Sequence, residues 1–173
     1  MNRDLLVNAI RIIVLVFFQV LILKEINLEN SSSRYLNIII YQLGIILLPV
    51  SLPSFFVILI AFFSGMAVDS FYGSPGVHAS ACLWMAASRP FVLKMLEPKS
   101  GYTIQQTPSS ASLGIFWFLR FSGILCFVYL FAYFSMEEFT FFYIGKILLK
   151  TLVSFLVSMF IIILIKILVN PKE

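Results

Sequence analysis

Residues 69–79 read DSFYGSPGVHA: an acid, two aromatics and the only histidine in the chain gathered around a Gly-Ser-Pro-Gly turn. Asp69 and His78 are the two side chains here with most chemical scope. A carboxylate and an imidazole can share a proton, form an ion pair, or tie each other down. The turn between them supports such a meeting. Pro75 fixes its own φ and donates no hydrogen bond, and the flanking glycines accept positive φ, so the chain reverses quickly. Asp69 lies one turn before the reversal and His78 just after it, which puts them at similar height on two antiparallel helices. Ser74 is the expected N-cap of the second helix, with Pro75 at its first position.

Two roles suit this cluster. One is interfacial, with Asp69, Tyr72 and His78 tied to each other and to loop amides. The other is a pocket or partner site formed by Asp69, Phe71, Tyr72, Pro75, Gly76 and His78. One His and one Asp are too few ligands for a metal. Cys82 and Cys126 both sit inside apolar runs and suggest neither a disulfide nor a metal site. No G-x-S-x-G, H-E-x-x-H or Gly-rich phosphate loop occurs. A lone His with no nucleophile or second base does not make an active site. The expectation is a protein that is not an enzyme and carries no cofactor.

The elements that hold these residues are those of a membrane protein. Of the 173 residues, 61% are hydrophobic and 12% charged, against about a quarter charged in a soluble domain. A spanning helix needs roughly 20 mostly apolar residues. Six such segments can be read, at about 5–23, 35–52, 54–72, 77–96, 113–134 and 147–169. Runs such as FFVILIAFF do not alternate as barrel strands do. The expected fold is therefore an all-α integral membrane protein: one domain, residues 1–173, of six transmembrane helices. Lys24-Glu25-Ile26 follows the first run where a cleavable leader would have small residues, so that run is read as a retained span.

The net charge of +4 is spread along the chain, with no basic stripe for nucleic acid. With six spans and the N-terminus inside, Arg3, Arg89, Lys94, Lys99 and Lys172 collect on the inner side. Lys24, Arg34, Lys146 and Lys150 on the outer side are offset by Glu25, Glu29, Glu137 and Glu138. Both termini are thus expected in the cytoplasm, and the turn at 73–76 on the outer side. Arg11, Arg89 and Arg120 are the intramembrane cations. Such charges snorkel to lipid phosphate or find an anion on a partner or lipid. Asn8, Arg11 and Gln19 fall near one helical face, which should point into protein. Gly65, with Ala61 and Ser64, and Ala79, Cys82 and Ala86 offer two small-residue faces for close packing of spans three and four.

The run GMAVDSFYGSPGVHASACLWMAASRPFVLKML resembles the signature of the MreD family of rod-shape-determining membrane proteins. Gly65, Asp69, Phe71, Pro75, Gly76, His78 and Ala79 occupy the positions of a G-x-x-x-D-x-F-x-x-x-P-G-x-H-A-like segment. Arg89-Pro90-Phe91 is similar to the form in Bacteroidetes-type members, and length and span number agree along the whole chain. The resemblance implies a non-enzymatic scaffold of the cell-elongation complex in the bacterial inner membrane, with membrane lipid around it. MreC is the implied direct partner. MreB, RodA and a penicillin-binding transpeptidase of peptidoglycan synthesis are the indirect ones. It also implies a fold similar to the S-components of energy-coupling-factor transporters, with DSFYGSPGVH at an outward mouth. The runner-up is a true substrate-binding S subunit of a vitamin transporter. Against it, the small-residue face typical of span one in those subunits is missing, since Ile13 follows Ala9 at the four-residue step. A channel is weaker still, for want of polar groups to line a path.

Overall fold

The computed structural model describes residues 2–25, 37–103, 106–108, 113–139 and 141–169. Helix α1 (Asn2–Phe18) continues through a π-helical turn at Gln19–Leu23. Then come a single short helix α2 (Gln42–Ile46), α3 (Ser54–Tyr72), α4 (Val77–Met95), α5 (Gly114–Glu138) and α6 (Ile144–Val169). No strand occurs among the described residues.

Four helices are long and apolar enough to cross a membrane: Leu6–Leu23, Ser54–Tyr72, Gly114–Glu138 and Ile144–Lys166. The chain is an all-helical, multi-pass membrane protein. Helix α4 has the same 19-residue length as α3, but His78, Arg89 and Lys94 make it less apolar.

The helix expected over 35–52 does not form. Residues 37–40 have no regular structure, helix is confined to Gln42–Ile46, and 47–52 are turns and bends; residues 35 and 36 lie outside the described part. Pro49 and Pro53 cannot donate to a helical ladder, and the Ile38-Ile39-Ile40 run is β-branched. The segment is nonetheless central, since Ile39, Ile40, Tyr41, Ile45 and Ile46 are all but inaccessible. Irregular backbone at such depth needs hydrogen-bond partners from elsewhere in the protein, and the structure supplies them from four polar side chains. Asn37 N–H donates to Ser154 Oγ at 3.0 Å and Ile39 N–H to Ser158 Oγ at 3.4 Å. Gln19 accepts from Ile40 N–H at 2.9 Å and donates to the Ile38 carbonyl at 3.0 Å. Arg89 donates to the Leu48 and Pro49 carbonyls at 2.6 and 3.1 Å.

Around this segment α4 packs between α3 and α5, α6 packs on α5, and α1 lies at the side against α2 and α3. The core joins Val57, Ala61 and Val68 of α3 with Cys82, Met85 and Ala86 of α4 and Phe121, Leu125 and Tyr129 of α5. Helices α3 and α4 touch backbone to backbone at Gly65, where a Cβ would lie 2.5 Å from Ala79 Cα and 2.7 Å from its nitrogen.

Candidate functional site: the α3–α4 hairpin and its tyrosine–histidine core

The turn after α3 is built by two glycines. Gly73 closes α3 with φ 65°, its N–H donating to the Asp69 carbonyl at 3.0 Å, and Gly76 opens α4 with φ 86°. The first amides of α4 have no acceptors within their own helix, and the Asp69 side chain takes them. Its Oδ1 accepts from His78 N–H at 2.9 Å and from Ser74 Oγ at 3.1 Å. Its Oδ2 accepts from Ala79 N–H at 2.9 Å and Gly76 N–H at 3.1 Å. A carboxylate at a helix N-terminus also meets the positive end of the helix dipole. Asp69 is buried, so one acid at the end of α3 fastens the start of α4 across the turn.

Two expectations are corrected here. Asp69 meets His78, but through the backbone N–H; the imidazole bonds elsewhere. The helix dipole and the free amides hold the carboxylate more firmly than one imidazole would. Ser74 does not cap α4 and Pro75 is not its first residue: the helix starts at Val77 with Gly76 before it, and the Ser74 hydroxyl turns back to Asp69.

The His78 ring is buried among tyrosines. Its Nδ1 lies 2.8 Å from Tyr129 Oη and 3.3 Å from Tyr41 Oη. Tyr41 and Tyr129 share a hydrogen bond of 2.8 Å, and Tyr41 Oη is 3.3 Å from Cys82 Sγ. The rings of Tyr72 and Tyr133 stand 5.0 and 4.8 Å from the imidazole. Tyr72 Oη accepts from Gln19 Nε2 at 2.9 Å, linking α3 to α1. The His78 Nε2 has no hydrogen-bond partner. Hydrogen bonds and ring contacts together thus tie α1, the segment around α2, α3, α4 and α5 to one another.

The grouped candidates separate. Asp69, Tyr72 and His78 come together. Pro75 and Gly76 lie exposed in the turn. Phe71 points away, into an apolar groove of about 310 Å³ between α1 and α3, lined also by Phe17 and Phe63. Ala79, Cys82 and Ala86 are buried where expected.

The three arginines expected within the membrane differ from one another. Arg89 is buried and serves the carbonyls of the broken segment. Arg11 is half-buried and donates to Asn8 Oδ1 at 3.2 Å. Arg120 is exposed, with no ion pair among the described residues. At the other end of the bundle Lys150 meets Glu137 at 3.1 Å and Glu138 at 2.7 Å, and Lys146 meets Glu138 at 2.9 Å.

Tyr41, Tyr129 and Tyr133 were not among the candidates from sequence, nor were Ser154 and Ser158. The readable signal was their spacing, since Tyr129 with Tyr133 and Ser154 with Ser158 each stand four apart in otherwise apolar runs. Among the described residues no group of three or more metal-ligating side chains is present. No protein-family model, curated protein or solved structure matches the chain.

Proposed function

We propose that this protein is a non-enzymatic membrane scaffold of the MreD type, which binds MreC and helps organise peptidoglycan synthesis during cell elongation. The observation that supports this reading is how the signature-like residues are used. Gly65 and Ala79 make the helix contact, Asp69 caps α4, Gly76 turns the chain, and His78 joins the tyrosine network. These residues build a rigid hairpin, as a scaffold requires. The polar groups that would have to greet a vitamin at an outward mouth are mostly bonded to one another, which favours a scaffold over a transporter subunit. MreB, RodA and a penicillin-binding transpeptidase are then indirect partners.

The same reading has the chain cross the bacterial inner membrane six times, with α4 and the broken segment 37–52 completing the four apolar helices. Helix α4 supports this: Trp84, Phe91 and Met95 are exposed while His78 and Arg89 turn inward. The same reading has both termini in the cytoplasm. Arg11, Lys94, Arg120 and Lys166 share the end of the bundle where α1 and α5 begin and α4 and α6 finish. None of them has a salt bridge among the described residues, whereas Lys146 and Lys150 at the far end are paired. An excess of Lys and Arg marks the cytoplasmic side. An arrangement like that of the transporter S-components belongs to the same proposal.

The test is depletion in a rod-shaped host. Cells that widen and round, with vitamin uptake unchanged, are the expected result. Rods that keep their shape but lose uptake of one vitamin would replace this reading with the transporter.

A further inference from the structure

The turn between α5 and α6 carries an unusual apolar load. Phe139 is 89% exposed, Phe142 85% and Tyr143 53%. Phe139 also has the left-handed φ of 52°, and its N–H donates to the Ser135 carbonyl at 3.2 Å to close α5. That conformation presses a Cβ against the backbone, so glycine normally fills it. The chain follows the habit at the end of α3, where Gly73 has φ 65°. At the end of α5 it keeps a phenylalanine, with its ring exposed.

Just beneath the turn lies the ion cluster. Lys150 is 7% exposed, bridges to both Glu137 and Glu138, and lies over the Phe134 ring at 5.5 Å. It stands in the second turn of α6, roughly 9 Å along the axis from Ile144 at ~1.5 Å per residue. A lysine so shielded needs its acids close by if the surroundings are lipid.

From these two observations we propose that the α5–α6 turn is a lipid-surface anchor: Phe139, Phe142 and Tyr143 sit in the phospholipid headgroup layer, with Lys150, held by Glu137 and Glu138, just below it. The turn joins two spanning helices through residues 139–143, too short a link to rise far above the bilayer. Aromatic rings held there gain by entering the interface. The occupant is therefore phospholipid rather than a partner protein.

The test places a fluorophore on Phe142→Cys; the native thiols Cys82 and Cys126 are buried. The purified protein is reconstituted in vesicles of phosphatidylcholine and phosphatidylglycerol, with no other protein present. Quenching by a nitroxide at the lipid headgroup should exceed that by one at the chain end about twofold, with little quenching by aqueous iodide. Adding Phe139→Gly, which suits the left-handed backbone, should leave thermal unfolding unchanged or raised and shift emission toward its value in water. Strong iodide quenching without nitroxide quenching would overturn the proposal and make the turn a protein-facing surface. Stronger quenching from the chain end, or no emission shift with Phe139→Gly, would overturn it too.

Discussion

Replacing Asp69 by alanine removes the acceptor for three backbone amides and one hydroxyl in a single step. An orphaned buried donor costs about 1–3 kcal/mol, and hydrogen bonds to a charged acceptor lie at the upper end of that range. Gly76 is exposed, so water can replace its bond; the amides of His78 and Ala79 are buried and have no substitute. The expected loss for Asp69→Ala is therefore about 3–5 kcal/mol. Asparagine is the sharper probe. Its oxygen can keep either the Oδ1 pair or the Oδ2 pair of partners, while its amide nitrogen, itself a donor, faces the other pair. Asp69→Asn should lose about half as much, roughly 2 kcal/mol. The assay is reversible unfolding in mixed micelles, followed by circular dichroism. Asp69→Asn indistinguishable from wild type, or Asp69→Ala costing under about 1 kcal/mol, would refute the claim that this carboxylate fastens the two helices.

Gly65→Ala drives a methyl group to 2.5 Å from the Ala79 backbone, so α3 and α4 must part. The loss should be about 1–3 kcal/mol in the same unfolding assay, and a change below ~0.5 kcal/mol would show that the spacing is set elsewhere. Ser154→Ala and Ser158→Ala each remove the acceptor of a backbone amide, those of Asn37 and Ile39. Each should cost about 1–2 kcal/mol, with faster hydrogen exchange at residues 37–40; unchanged exchange would contradict the assigned partners.

Helix boundaries were legible where strong local signals met. For α3 the expected 54–72 is also the observed span, because Pro53 before it and Gly73 after it leave little choice. Helix α5 runs on to Glu138, past the expected 134, since its polar end residues still extend the ladder and Glu137 and Glu138 find lysines. The stretch 35–52 misled because hydropathy reports burial and says nothing of helicity. Whether a buried backbone may leave the helix depends on Gln19, Arg89, Ser154 and Ser158, far away in the chain. At the site, the turn brought Asp69 and His78 together as read. Which atoms bond was not readable, because most of the donors to the carboxylate are the amides of a helix end rather than side chains. Tyr41 and Tyr129 reach His78 from other elements, through packing that no local pattern records.

The most direct test of the scaffold account is affinity capture of the tagged protein from native membranes in mild detergent, with mass spectrometry of what accompanies it. The account predicts MreC together with RodA and a penicillin-binding transpeptidase. Recovery of ATPase subunits and a transmembrane coupling protein in their place would contradict it.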